Sequence, residues 1–114
     1  LGLLVYGDLI AVDDPLGALG KLERAGVDIV LLHVGIDVQR KLGVTAGQMA
    51  GLVREIRGRW PRYLAVAGGI KPEEVKGMAD AGADIIIIGG AITKSQDPAG
   101  AARAALEGLE SCSR

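Results

Sequence analysis

The sequence contains a single cysteine, Cys112, so it cannot close an internal disulfide. Its 13 basic and 14 acidic residues leave a net charge of −1. A nucleic-acid-binding domain usually shows a basic excess, and none is present. No apolar run approaches the roughly 20 residues that a membrane-spanning helix needs. No charged segment precedes the first apolar run, and Asp8 interrupts that run, so no secretory signal peptide is read there. These absences lead us to expect a cytoplasmic protein with neither nucleic-acid nor membrane partners. The sequence also lacks an initiator methionine and opens inside an apolar run. From this we expect a piece of a longer chain, folded as one domain over residues 1–114.

What is present is apolar residues and glycine. Hydrophobic residues make up 49% of the chain, enough for a modest core, and glycine accounts for 18 of 114 positions. Four apolar runs read as strands: Leu3 to Val12, Ile29 to Val34, Tyr63 to Ala67 and Ile85 to Ile88. The last three are continuous, the pattern of strands buried on both faces of a parallel sheet. Helical spacing joins Leu16, Leu19 and Leu22. It recurs in Met49, Leu52, Val53 and Ile56, in Val75, Met78 and Ala79, and in Ala102, Leu106 and Leu109. Asp14-Pro15, Lys71-Pro72 and Asp97-Pro98 are helix starts, because proline at the first helical position loses a donor that had no partner. Gly26 and Gly82 read as C-terminal caps.

The order is β-α-β-α-β-α-β-α, and it contains a repeat. "ERAGVDIVLLHVG" (Glu23 to Gly35) resembles "ADAGADIIIIGG" (Ala79 to Gly90) at an offset of 56 residues. Alternation with a repeat implies a parallel sheet with right-handed crossovers. An open flavodoxin-like sheet fits this order, but short strands followed directly by helices favour four (β/α) units of a TIM barrel. We expect an inner face lined by Ile29, Leu31, Val66 and Ile86 or their neighbours.

Two of the strands end in adjacent glycines, Gly68-Gly69 and Gly89-Gly90. Several backbone N–H groups aimed at one point hold a phosphate well, and a Cβ would obstruct its approach. Two such turns on neighbouring strands make Gly68, Gly69, Gly89 and Gly90 candidate phosphate-binding residues; taken singly, each would be an ordinary tight turn. The spacing is not that of a dinucleotide fingerprint.

"DLIAVDDP", "GVDIVLLHVGIDVQ", "LAVAGGIKPEEV" and "ADIIIIGGAI", in this order, resemble the second half of the 3-hexulose-6-phosphate synthases, in the orotidine-5′-phosphate decarboxylase superfamily. The resemblance covers nearly the whole chain and implies strands five to eight of the barrel. It implies an aldolase-type lyase that joins formaldehyde to ribulose 5-phosphate, or runs the reverse cleavage, and uses Mg²⁺ to stabilise an enediolate. The family's metal ligands and catalytic lysine lie on strands one to three, so the resemblance places no metal ligand in this chain and implies that the chain alone is inactive.

His33, the only histidine, matches the family's strand-six histidine, a candidate for proton transfer. Read from its residue type alone, it is a hydrogen-bonded core histidine. Asp8 matches an acidic residue of strand five and is open between a catalytic role and structural pairing. Related decarboxylases carry arginines after the histidine, where this chain has Val34, Gly35 and Ile36, which favours the synthase. Asp37 reads as a loop or cap residue. Arg54, Arg57, Arg59 and Arg62 read as a solvated helix face and loop, and Trp60-Pro61 as packing before the third strand. The alternatives are another phosphate-binding barrel, such as a sugar-phosphate decarboxylase or a thiamin-phosphate-synthase-like enzyme, and a non-catalytic phosphate-binding half-barrel. Open sheet edges lead us to expect a homodimer or pairing with the missing half-barrel.

Overall fold

The computed structural model describes residues 2–110, and Cys112 lies outside them. The elements are β1 (Tyr6–Asp8), α1 (Pro15–Arg24), β2 (Ile29–His33), α2 (Ile36–Leu42), α3 (Ala46–Arg59), β3 (Tyr63–Ala67), a 3₁₀ turn (Pro72–Glu74), α4 (Val75–Ala81), β4 (Ile85–Ile86), α5 (Gly90–Thr93) and α6 (Pro98–Glu110). The strands form one parallel sheet in the order β1-β2-β3-β4. Among the described residues no helix is long and apolar enough to cross a membrane.

Local chemistry explains the helix ends. Asp14 accepts the Gly17 amide at 3.0 Å, and Pro15 begins α1. Asp97 does the same for the Gly100 amide at 3.1 Å ahead of α6. Thr45 and Gln48 form a reciprocal capping box on α3, a T-x-x-Q signature missed in the sequence. The helix α2 was also missed. It is only 7 residues long and ends at Gly43 in the left-handed region. Asp37 lies in its first turn.

The repeat is a repeated joint. Gly26 and Gly82 both have positive φ, 81° and 118°. The next amides reach back to the preceding helix in the same way, Val27 to the Leu22 carbonyl and Ala83 to the Met78 carbonyl. Two residues beyond each glycine stands an aspartate. Asp28 Oδ2 accepts the Val5 amide at 2.8 Å, and Asp84 Oδ2 accepts the Leu64 amide at 2.9 Å. Each carboxylate therefore binds the start of its neighbour strand.

Here the arginine reading needs correction. Arg54, Arg59 and Arg62 are exposed, as expected, but Arg57 is not a solvated face residue. Its guanidinium donates to Asp84 Oδ2 at 2.7 Å and to the carbonyls of Gly82, Trp60 and Arg62. Arg62 also reaches the Val27 carbonyl at 3.3 Å. Trp60 is buried and donates its indole N–H to Tyr63, the first residue of β3, as the sequence suggested.

The core is a helix layer on one sheet face. Val30, Leu32, Leu64 and Val66 pack with Leu19, Met49, Val53, Ile56 and Met78. The other face carries a cluster of strand residues, Ile29, Leu31, Ala65 and Ala67, with Ile85 against it. The pairing of Ile29 with Tyr63, and of Ala65 with Ile85, fixes this division. On β3 and β4 the neighbours Ala65, Ala67 and Ile85 line the inner side, while Val66 and Ile86 face the helices, because strand side chains alternate.

Two strand boundaries and one helix face differ from expectation. β1 spans only Tyr6–Asp8, because Asp8 Oδ1 accepts the Ile10 amide at 2.9 Å and turns the chain. β4 stops at Ile86, although the Ile87 amide still reaches the Val66 carbonyl. In α6 the buried residue is Ala105, whereas Leu106 and Leu109 are exposed. Small residues permit close approach there: a Cβ on Gly108 would lie 3.6 Å from the Pro72 carbonyl oxygen.

The two joints should differ in strength. Asp84→Ala removes an acceptor shared by Arg57 and a core-strand amide and should cost about 2–3 kcal/mol in urea unfolding. Asp28→Ala, on the edge pair, should cost about 1 kcal/mol. Equal costs, or the reverse order, would contradict the assignment of Arg57 as the stronger tie.

Candidate functional site

In a parallel sheet all strands finish at the same rim, and ligands of such folds bind there. Asp8 ends β1 and His33 ends β2; Gly68-Gly69 follows β3 and Gly89-Gly90 follows β4. The structure thus sets all six sequence-selected residues along one rim.

Asp8 and His33 meet. Asp8 Oδ2 is 3.3 Å from His33 Nδ1, with both side chains partly exposed. They share the sheet face that carries Leu31, because Asp8 pairs with Leu31 and His33 lies two residues further along. A carboxylate only accepts, so it favours a proton on Nδ1 and leaves the Nε2 lone pair able to take one. The carboxylate orients the imidazole ring through this contact. Asp8 is also bound through Oδ1 to the Ile10 amide, so it is both a structural residue and the partner of His33.

The two glycine pairs have different causes. Gly68 and Gly69 both have positive φ, 112° and 65°. A Cβ on Gly68 would lie 2.1 Å from the Val34 carbonyl oxygen. Gly68 is therefore required by the approach of two loops, whatever the rim binds. Gly89 and Gly90 have no positive φ, a Cβ on Gly89 would meet nothing within 4 Å, and one on Gly90 would only touch the Lys94 side chain at 3.7 Å. Packing within the described chain does not demand glycine at either position. The amides of Gly90 and Ala91 open α5 and donate to no group among the described residues.

Sequence reasoning missed Gln39, on α2. Its Nε2 donates to the Val34 carbonyl at 2.7 Å and to the Gly68 carbonyl at 2.7 Å. The signal available was a polar residue following the "HVGID" turn, in a helix too short to show its period.

No three histidine, cysteine, aspartate or glutamate residues come together as a metal set among the described residues. Asp8 and His33 alone do not make a Mg²⁺ site. A cleft of about 540 Å³ opens at the opposite end of the sheet, lined by Asp28, Arg57, Arg62 and Asp84 among others. Arg57 and Arg62 there are engaged in the structural bonds described above.

A parallel sheet backed by helices, with histidine and glycine turns on the strand-end rim, is the arrangement of the ribulose-phosphate-binding barrels. Residues 8–105 match the family of orotidine 5′-phosphate decarboxylase and HUMPS, and the chain belongs to that family. It is 42% identical over 104 residues to the "Bifunctional enzyme Fae/Hps" of Archaeoglobus fulgidus, covering 90% of this chain and 25% of that one. It is 36% identical over 104 residues to the 3-hexulose-6-phosphate synthase of Staphylococcus aureus, covering 89% of this chain and 48% of the relative. The crystal structure of 3-hexulose-6-phosphate synthase from Salmonella typhimurium superposes with a TM-score of 0.81 at 38% identity, over 96% of this chain and 50% of that one. The chain thus spans about half the length of single-function synthase relatives.

The two glycine pairs should respond differently to substitution. Gly68→Ala should destabilise the chain by about 3 kcal/mol or more, since the Val34 backbone must move. Gly90→Ala should leave the unfolding midpoint within the error of the measurement. A stable Gly68→Ala would contradict the close approach of the two loops.

Proposed function

We propose that the chain is the C-terminal, phosphate-holding half of a 3-hexulose-6-phosphate synthase, the lyase that condenses formaldehyde with ribulose 5-phosphate or runs the reverse cleavage. The observation that carries this reading is the His33–Asp8 pair at 3.3 Å on the same rim as the two Gly-Gly turns. The names of the relatives supply the substrate class. The amides near Gly69 and Gly90 hold the phosphate ester, and its charge is met by backbone dipoles, with the Lys94 side chain lying beside Gly90. His33 Nε2 takes or returns a proton close to the reacting carbonyl, and Asp8 orients the ring through Nδ1. The Mg²⁺ that the relationship implies would be held in the complete enzyme by residues outside this chain, so the chain alone should show no condensation activity.

The reading extends to assembly. Among the described residues, the inner face and the outer edges of β1 and β4 have no partner. Leu3, Leu4, Val5, Tyr6 and Ile87 are exposed along them. Closing such a sheet takes about eight strands. We therefore read the chain as pairing with the missing half-barrel or with a second copy of itself. Light scattering at micromolar concentration should report a dimer; a monodisperse, cooperatively folding monomer would contradict the half-barrel reading.

Two substitutions test the site. Gly90→Val should abolish binding of a sugar phosphate, measured by calorimetry, because a branched side chain fills the anion's place; unchanged affinity would remove the turn from the site. In the complete enzyme His33→Ala should lower turnover by roughly 10²-fold or more while changing substrate affinity far less. Full turnover in that variant would return His33 to a structural role.

A further inference from the structure

One side-chain nitrogen connects the two parts of the proposed site. Gln39 Nε2 lies 2.7 Å from the Val34 carbonyl oxygen and 2.7 Å from the Gly68 carbonyl oxygen. Val34 follows His33 directly, and Gly68 directly precedes Gly69. The loops are in close contact, since a Cβ on Gly68 would sit 2.1 Å from the same Val34 oxygen. Nothing in a parallel ladder accounts for this contact, because β2 and β3 pair only as far as His33 and Ala67.

The chemistry restricts what can fill the position. Two carbonyl oxygens that converge repel unless a donor stands between them. A carboxamide offers two N–H bonds from one uncharged nitrogen; a hydroxyl offers one, and a carboxylate none. An ammonium could donate to both, but it would add a positive charge beside the anion-binding turn.

We propose that Gln39 is a positioning residue that sets the separation between His33 and the Gly68-Gly69 turn. It reaches the reaction only through the two backbone carbonyls it holds. The inference rests on the reading of this rim as the substrate site. It goes further by naming the side chain that keeps proton transfer and phosphate binding in fixed relation.

The test uses the chain itself, the Gln39→Met variant, which fills the same volume without donors, and inorganic phosphate as the probe. Losing two hydrogen bonds should shift the His33 ring resonances and the Gly69 and Ile70 amide resonances, and weaken phosphate binding by about tenfold or more. Amide exchange at Val30, Val53 and Leu64 should stay within about twofold. If Gln39→Met does not fold, Gln39→Glu keeps the shape, lacks the donors when ionised, and should give the same local signature at neutral pH. Ring and turn resonances that match those of the unaltered chain would overturn the proposal. So would an even rise in exchange at all amides, or failure of both variants to fold, since either makes Gln39 a stability residue only. If the unaltered chain binds no phosphate, the reading of the rim fails, while the resonance shifts still decide whether Gln39 ties the loops.

Discussion

The sheet depends on a carboxylate at the entry of every second strand. Asp28 and Asp84 each leave a glycine-reversed helix end and accept the amide that starts the neighbouring strand. A parallel sheet has no hairpins to set its register, so each crossover must deliver its strand at the right height. The reversed helix end fixes where the aspartate emerges, and the aspartate fixes the neighbour. Arg57 reinforces the second joint by tying the end of α3, the lead-in to β3 and Asp84 together. Register set at this end decides which residues stand side by side at the other.

The rim is the product of that register. His33 comes level with Ala67, so the histidine and the first glycine turn leave the sheet together. Asp8 reaches His33 because β1 pairs with β2 as far as Asp8 and Leu31. The rim is then refined by contacts outside the ladder: the Asx turn of Asp8, the left-handed pair Gly68-Gly69, and Gln39 between the loops. The elements that carry the candidate chemistry are held by backbone bonds from both ends of the sheet, although several of their side chains remain open to solvent.

Much of this was legible in the sequence, and the failures have physical causes. The repeat announced the joint, because Ala-Gly-x-Asp before an apolar run carries both the helix reversal and the carboxylate. The glycine pairs and His33 announced the rim, since each stands at the end of a buried run. Continuous apolar runs show that strands are buried on both faces but hide which residue faces which side. Whether Val66 and Ile86 or their neighbours face inward was consequently open until pairing with β2 and β3 fixed the phase. Arg57 read as surface because a long side chain can carry its charge to backbone carbonyls that sequence spacing does not reveal. Gln39 was silent because its partners, Val34 and Gly68, are 29 residues or fewer away in sequence but lie on two different loops.

The central claim is that the rim, and not the charged cleft at the opposite end, is the anion site. An NMR titration of the chain with inorganic phosphate tests it most directly, with His33 as the single imidazole reporter. The account predicts saturable shifts of the Gly69, Gly90 and Ala91 amides, with the His33 ring moving in step and the amides near Asp28 and Asp84 unchanged. Shifts confined to the end that carries Arg57 and Arg62, or no saturable shift at the rim, would contradict it.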